Sequence, residues 1–213
     1  MLHTTNIDTL WGFGAPKPLT WYGLDAITNA QPRPALILFH GSGRDGRSML
    51  GMWASFAKDQ GVILIAPNAN ASGWSLSDFN AKSVEQILRD AQTFYPIAPD
   101  QIYLFGHSGG AKLVQALANQ GDGPWRAVAS HAGVIDASDV QTAPNPARPI
   151  HVFNGDTDQN YPIWYVEKSV ESLLAAGHDV SVTLIEGHGH WYYNIGPKLA
   201  PLIWDALVSE TSG

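Results

Sequence analysis

Residues 101–118 read Gln-Ile-Tyr-Leu-Phe-Gly-His-Ser-Gly-Gly-Ala-Lys-Leu-Val-Gln-Ala-Leu-Ala. The segment opens with a short apolar run rich in β-formers and closes with apolar residues at helical spacing. The Gly-x-Ser-x-Gly pattern between them predicts a sharp turn, because Gly106 and Gly110 leave room for closely packed backbone. Such a turn presents a serine hydroxyl at the carboxyl end of a strand, over the N-terminus of the next helix. Ser108 is therefore the candidate nucleophile.

This motif alone is weak evidence, since a chain with 21 glycines can contain Gly-x-Ser-x-Gly by chance. A serine hydroxyl becomes a good nucleophile only when a neutral imidazole removes its proton. The interpretation therefore requires a histidine base, a carboxylate that orients this base, and amide donors for an oxyanion. Each of these has a candidate elsewhere in the sequence.

The composition predicts one globular domain that spans residues 1–213. Hydrophobic residues make up 45% of the chain and charged residues 15%, which excludes a disordered polypeptide. The 12 Lys and Arg residues against 19 Asp and Glu give a net charge of −7 without a basic run, which argues against nucleic acid as a partner. The sequence has no cysteine, and therefore neither a disulfide nor a thiolate metal site.

The first residues, MLHTTNID, contain neither the basic nor the apolar segment of a signal peptide. No apolar run approaches the roughly 18 residues of a membrane span. We therefore expect a cytoplasmic protein that does not insert into a membrane. A mature secreted form whose signal has been removed fits the same sequence.

Residues 1–34 predict an irregular lead-in with one or two edge strands, of which Leu19–Leu24 is the clearest. From residue 35 onward, apolar runs typical of buried strands alternate with segments of helical periodicity. The predicted strands are Ala35–Phe39, Val62–Ala66, Gln101–Phe105, Ala127–Ser130, Ile150–Phe153 and Val180–Ile185. The predicted helices are Ser48–Gln60, Ser83–Phe94, Ala111–Ala118, Ile163–Ala176 and Pro197–Ser209. This alternation predicts the α/β class, with a doubly wound, mostly parallel sheet, helices on both faces and no large cap.

The base is expected on a loop at the carboxyl edge of this sheet, in the chain order Ser, acid, His. The histidines that follow Ser108 are His131, His151, His178, His188 and His190. The first three are excluded by position, since they lie too early in the chain, inside a strand or at the wrong end of one. His190 is preferred because Gly187 and Gly189 give its backbone the freedom to point the side chain over the sheet. His188 is the alternative; otherwise it is a loop histidine bonded to a neighbouring carbonyl.

The acid is expected at the end of the preceding strand, where Asp156 and Asp158 lie. Asp158 is preferred because the turn must carry the carboxylate away from its strand to reach the imidazole. Asp156 is then interpreted as the residue that caps this turn. Asp136, after the strand before, is a third candidate.

Two backbone amides are the candidate donors of an oxyanion hole. One belongs to Gly109, which follows the nucleophile at a helix N-terminus. The other belongs to Ser42, in the loop after the Ala35–Phe39 strand. This loop could alternatively be no more than a tight exit from the strand.

The candidate substrate contacts are His40, Gly41, Trp74, His107 and Trp191. The first two begin the loop that carries Ser42, and His107 is part of the Gly-x-Ser-x-Gly turn. Of the eight tryptophans, Trp74, Trp164 and Trp191 fall on site-edge loops or a helix start, and we expect one or two of them to line the pocket.

In this order, the motifs resemble those of α/β-hydrolase-fold serine esterases, from about residue 35 to the end of the chain. The motifs are His40-Gly41 after a buried strand, the turn at residues 106–110, Gly155-x-x-Asp158 with Pro162, and Gly187-x-Gly189-His190-x-Tyr192. Within the fold, the chain is similar to small esterases grouped with polyhydroxyalkanoate depolymerases and feruloyl esterases, and to the carboxylesterase/phospholipase group. Asn154 departs from this pattern, because a histidine commonly precedes the glycine there.

The resemblance and the candidate triad imply hydrolysis of a carboxylic ester through an acyl-enzyme, without a cofactor or a metal. We expect a small-molecule ester with a short-chain or small aryl or alkyl group. The reason is that the longest insertions, residues 68–80 and 133–149, lack the apolar helical stripe of a lid. The same triad could instead cleave an amide or peptide. A non-catalytic hydrolase-fold protein that binds a small ligand is the alternative from another class.

Overall fold

One mixed β-sheet with helices on both faces forms the framework of the protein, in a computed structural model that describes residues 1–7, 17–27, 30–70, 73–121 and 123–209. The strands are β1 (Leu2–Ile7), β2 (Lys17–Leu24), β3 (Arg33–Phe39), β4 (Ile63–Pro67), β5 (Ile97–His107), β6 (Ala127–His131), β7 (Ile150–Gly155) and β8 (Val180–Ile185). The α-helices are α1 (Gly46–Gln60), α2 (Ala81–Ala91), α3 (Gly109–Gln120), α4 (Ile163–Ala175) and α5 (Gly196–Ser209).

The strand order across the sheet is β1-β2-β4-β3-β5-β6-β7-β8. The six strands from β4 to β8 in this order are parallel, whereas β2 runs antiparallel to both β1 and β4. The prediction of a mostly parallel, doubly wound sheet is therefore confirmed. Because the chain winds away from β3 in one direction and from β5 in the other, the order reverses between these two strands. Ligands of open α/β sheets bind at such a reversal, beyond the carboxyl ends of the strands.

The apolar core lies in two layers, one on each face of the sheet. One layer packs α2, α3 and α4 against the sheet, and the other packs α1 and α5 against the opposite face. Within β3, Ile37 faces the first layer whereas its neighbours Leu36 and Leu38 face the second. A strand covered on both faces has no polar side to show, which is why it appears in the sequence as a continuous apolar run.

The lead-in contributes two strands, of which the sequence singled out only the second. Along β1, exposed and buried residues alternate strictly, and the buried positions are His3, Thr5 and Ile7. A half-buried strand whose inward side chains are mostly polar lacks the apolar alternation that identifies strands in a sequence. Within the predicted lead-in, residues 8–16 and 28–29 lie outside the described residues.

The helix boundaries agree with the sequence to within one residue for α4 and α5 and to within two residues for α3, whereas α2 ends at Ala91, three residues before the predicted Phe94. Helix α1 begins at Gly46 after an Asp45 cap, two residues earlier than predicted, and ends at Gly61 in the left-handed conformation. Helix α2 is capped by Asn80 and not by Ser83. Ser83 is the third helical residue, and its hydroxyl accepts from the Asn80 backbone N–H in a capping box. In the described residues, no helix is both long enough and apolar enough to cross a membrane.

Candidate active site

The Gly-x-Ser-x-Gly turn joins β5 to α3 and has a strained backbone at its centre. Ser108 has φ 53° and ψ −114°, a region that residues with a side chain rarely adopt. A Cβ atom on Gly106 would lie 2.1 Å from the carbonyl oxygen of Gly110, and one on Gly110 would lie 2.2 Å from that of Phe39. Both glycines are therefore required by the close approach of β5, α3 and β3, as the sequence predicts.

Three of the predicted site residues meet at the carboxyl edge of the sheet. The Nε2 atom of His190 lies 3.1 Å from the Ser108 Oγ, and its Nδ1 atom lies 2.9 Å from the Asp158 Oδ2. Because a carboxylate oxygen can only accept, Nδ1 carries the proton and Nε2 is left to accept from the serine hydroxyl. The arrangement can therefore transfer a proton from Ser108 to His190 while Asp158 holds the imidazole.

The carboxylate of Asp158 is fixed by the turn that follows β7. Its Oδ1 atom accepts from the backbone N–H groups of Asn160 at 2.8 Å and Tyr161 at 3.0 Å, and its side chain is completely buried. The turn is thus closed by Asp158 itself, and the prediction that Asp156 caps it is wrong. With both oxygens bonded, the carboxylate cannot rotate without losing hydrogen bonds.

The loop that carries His190 is attached to the end of β7 through backbone contacts. The Thr157 N–H donates to the His188 carbonyl at 3.0 Å, and a Cβ atom on Gly155 would lie 2.0 Å from the same oxygen. Gly187 has φ 65°, as expected for a loop that turns back over the sheet. Gly189, which the sequence argument also invoked, has no positive φ.

Tyr161 is a site residue that the sequence reasoning missed. Its ring is stacked on the His190 imidazole, with centroids 5.9 Å apart and an interplanar angle of 15°. Its backbone N–H also donates to Asp158, and its carbonyl accepts from the Asn154 side chain at 2.9 Å. The only signal in the sequence is an aromatic residue between the acid and Pro162, which does not by itself indicate a contact with the base.

A cluster of buried histidines lies beside the triad. The Nδ1 atoms of His107 and His131 are 3.1 Å apart, so one donates to the other, and the His107 ring also packs against His190. Burial, with the neighbouring His190 as a smaller cause, lowers the pKa of His107 to about 3. Burial also lowers the pKa of His131 well below its ordinary value. His107 is 2% exposed, so the prediction that it contacts substrate is wrong.

The alternative base and the alternative acid have other partners. The His188 ring packs against His131 at 5.2 Å, and burial is the main reason that its pKa is lowered. Its Nε2 atom is buried without a hydrogen bond. Asp136 accepts hydrogen bonds from Tyr165 and Lys112, which lower its pKa.

The loop after β3 brings Ser42 next to Gly109. A Cβ atom on Gly109 would lie 3.6 Å from the Ser42 Oγ, and both residues line one cavity of 490 Å³. His40 holds this loop in shape, since its Nδ1 donates to the Gly41 carbonyl and its Nε2 accepts from the Ala69 N–H. His40 lines the same cavity, as predicted for a substrate contact, but both of its ring nitrogens are already hydrogen-bonded within the protein. The structure thus brings the two predicted oxyanion-hole residues, Ser42 and Gly109, to the border of one cavity.

The tryptophans differ in their positions around the site. Trp74 is half-buried, and its indole N–H donates to the His40 carbonyl at 2.8 Å. Trp191 is 44% exposed, with the Arg44 guanidinium 4.7 Å above its ring. Trp164, at the start of α4, is 66% exposed. Of the three, Trp74 lines the cavity that contains Ser42 and also a second cavity of 670 Å³, which Gly109 borders as well.

The sheet and the site together define the class of the protein. A doubly wound sheet whose order reverses at a strained serine turn, with histidine and carboxylate on later loops, is the α/β-hydrolase fold. The chain belongs to the dienelactone hydrolase family, whose model matches residues 67–202. The protein is thus a hydrolase, and the earlier resemblance to α/β-hydrolase-fold esterases is confirmed.

Solved structures share this fold at low sequence identity. An esterase described as PE8 is 20% identical over 89% of this chain and 99% of its own, with a TM-score of 0.67. LpqC, a poly(3-hydroxybutyrate) depolymerase from Bordetella parapertussis, is 18% identical over 89% of this chain and 84% of its own, with a TM-score of 0.68. A phospholipase/carboxylesterase from Dyadobacter fermentans is 16% identical over 86% and 95%, with a TM-score of 0.63. No curated protein matches the sequence.

Proposed function

We propose that the protein is a serine hydrolase that cleaves small carboxylic esters through an acyl-enzyme intermediate. The observation that carries the proposal is the continuous hydrogen-bonded chain from Ser108 through His190 to Asp158. In this chain each group has the donor or acceptor state that nucleophilic attack requires. No cofactor enters the proposed reaction.

In the acylation step, the Ser108 Oγ attacks the ester carbonyl carbon while its proton moves to the Nε2 of His190. The carbonyl oxygen becomes an oxyanion, and the Gly109 and Ser42 amides donate to it. When the carbon–oxygen bond of the ester breaks, His190 returns the proton to the departing alkoxide, and the alcohol leaves. An acyl group is then bound covalently to Ser108.

In the deacylation step, His190 takes a proton from water, and the water oxygen attacks the carbonyl carbon of the acyl-enzyme. When the bond between this carbon and the Ser108 Oγ breaks, His190 returns the proton to Oγ and the carboxylic acid leaves. Twice in each cycle, His190 becomes an imidazolium, and the buried carboxylate of Asp158 stabilises this charge. Because Asp158 is held by two backbone amides, the imidazole keeps one tautomer throughout. Within its turn, Asp158 is therefore held in one orientation by hydrogen bonds from the main chain.

The reaction needs room on both sides of the nucleophile, and the two cavities supply it. Both border Gly109 and Trp74, one on the side of the loop that carries Ser42 and the other along α3. One arm of the ester would occupy each cavity. Their volumes fall within the range of small-molecule sites, which fits a small-molecule ester as the substrate and gives no role to nucleic acid.

The test is covalent labelling combined with substitution. A fluorophosphonate should modify Ser108, as mass spectrometry of the labelled peptide would show, and Ser108→Ala should lower kcat on p-nitrophenyl acetate by at least about a thousandfold. His190→Ala should match this loss, whereas His188→Ala, the matched control, should cost much less. Labelling elsewhere, or near-normal turnover by Ser108→Ala, would refute the proposal. An anilide turned over as fast as the ester would instead identify an amidase.

A further inference from the structure

The cavity of 670 Å³ is a groove that begins beside the nucleophile and follows α3. One face of this helix forms its floor, through Gly109, Lys112, Leu113, Ala116, Asn119 and Gln120. These residues recur at intervals of three and four, with two adjacent pairs, Lys112–Leu113 and Asn119–Gln120, as expected for one face of a helix. Eleven residues of helix separate the first from the last, so the floor is roughly 16 Å long.

The near part of the groove is mainly apolar. Leu113 and Ala116 on the floor share the lining with Leu76 and Ile135 from two other segments. Trp74 closes the end beside Gly109, and its position is fixed by the hydrogen bond to the His40 carbonyl. An apolar group next to the ester bond would therefore be removed from water on several sides.

The far part of the groove is polar and structurally fixed. Gln120, Ser138 and Gln141 line it, together with the apolar Val140 of the same wall. The wall of residues 139–141 is bonded to the helix through Asn119, whose Nδ2 donates to the Asp139 carbonyl at 3.0 Å and whose Oδ1 accepts from the Gln141 N–H at 2.9 Å. The groove is thus held open by a buried side chain that binds both of its sides together.

One ammonium and two carboxylates lie along the groove. The Lys112 ammonium lies 3.4 Å from the Asp136 carboxylate, and Asp139 adds one further acidic group to the lining. A groove with one paired cation and one carboxylate offers little attraction to an anion. Amide and hydroxyl side chains at its far end suit a neutral hydrogen-bonding group instead.

We propose that this groove binds an elongated, uncharged arm of the ester, which is apolar next to the ester bond and ends in a hydroxyl or amide group. The inference rests on the proposed function, because it concerns the substrate of the same site. A groove of this length accommodates roughly a dozen covalent bonds of extended chain. The sequence predicts an ester with short groups, because the loops at residues 68–80 and 133–149 lack the apolar helical stripe of a lid. In the structure, parts of these two loops form the walls of the groove.

The test places a large side chain halfway along the floor. Ala116→Trp is compared with Lys58→Trp, an exposed helical position on α1 outside the groove. The acyl-arm probes are p-nitrophenyl acetate, octanoate and 8-hydroxyoctanoate, and the alcohol-arm probes are ethyl acetate, octyl acetate and the monoacetate of octane-1,8-diol. For one of the two arms, Ala116→Trp should lower the ratio of kcat/KM for the long ester to that for the short one by about tenfold. This loss corresponds to about two CH₂ groups displaced into water.

The polar end of the groove gives a second measurement. The wild-type protein should prefer the probe with a terminal hydroxyl to the probe with a terminal methyl, and Gln141→Leu should reverse this preference. If Ala116→Trp fails to fold, as its circular dichroism would show, Ala116→Leu and Gln141→Leu provide the same comparison. The inference would be overturned if the ratio of kcat/KM for the long ester to that for the short ester were unchanged in both variants, Ala116→Trp and Lys58→Trp, for the acyl arm and for the alcohol arm. In that case the proposed function would still be supported by Ser108-dependent hydrolysis of p-nitrophenyl acetate. If this hydrolysis is absent, the proposed function itself is refuted.

Discussion

Replacing Asp158 by asparagine should abolish almost all activity while it barely alters the shape of the site. The Oδ1 atom of Asp158 accepts from two backbone N–H groups, and these donors will bond only to an oxygen. An asparagine at this position must therefore keep its oxygen there and turn its NH₂ group toward His190. Since NH₂ donates, the Nδ1 of His190 must then accept, and its proton moves to Nε2.

In that tautomer the Nε2 of His190 points a proton at the Ser108 Oγ and cannot remove one. We expect kcat to fall by about 10⁴, equivalent to about 5.4 kcal/mol of transition-state stabilisation. The assay is steady-state hydrolysis of p-nitrophenyl acetate at pH 7.5, with unfolding in urea measured alongside to show that the fold is retained.

The matched control is Asp156→Asn, two residues earlier on an exposed position. It should retain turnover within about twofold, as surface substitutions away from a site usually do. A loss of less than tenfold in Asp158→Asn, or an equal loss in both variants, would refute the argument from hydrogen-bond donors.

Three further outcomes are expected. Tyr161→Leu should lower kcat by up to about tenfold, because the stacked ring stabilises the imidazolium that forms on His190 during the reaction; Tyr161→Phe, which keeps the ring, should retain kcat. His107 stays neutral in the folded protein down to a pKa of about 3, whereas in the unfolded chain it takes up a proton below about pH 6.5. The stability that this ring contributes is therefore complete above pH 6.5 and is lost as the pH falls toward 3, by about 2 kcal/mol at pH 5. Urea unfolding at pH 7.5 and 5.0 should show this loss, and a pH dependence that is unchanged in His107→Phe would contradict it. Gly110→Ala should lower the free energy of unfolding by about 1–3 kcal/mol, since its Cβ would lie 2.2 Å from the Phe39 carbonyl oxygen; thermal melting of the variant measures this.

The parts of the fold that depend on local patterns could be predicted from the sequence. Strands covered on both faces appear as apolar runs, and the turn at Ser108 requires glycines that the motif displays. The positions of Asp158 and His190 followed from the order of strands and loops, because parallel strands bring their carboxyl ends to one edge. These inferences needed no knowledge of which side chains pack together.

The missed features depend on contacts between distant segments. His107 lies in the expected turn, but it is buried beneath Tyr192 and does not reach a substrate. The ring nitrogens of His40 are occupied by bonds to the main chain of Ala69 and Gly41. Tyr161 reaches the base only because two loops from different strands fold over each other. In the same way, the groove along α3 exists through a bond between Asn119 and a loop some 20 residues later. The hydrophobic periodicity of a sequence does not indicate which distant segments contact each other.

The contact between Gly155 and the His188 carbonyl has a consequence for how this protein could diversify. It couples the acid and the base through main chain, on neighbouring strands at one side of the sheet. Much of the groove wall belongs to other segments, residues 74–76 and 135–141, which contribute no member of the triad. Insertions or substitutions in those segments could change which of the proposed ester substrates bind, without altering the contacts among Ser108, His190 and Asp158. The choice of substrate and the proposed catalytic residues therefore depend on different segments of the chain and could change independently in evolution.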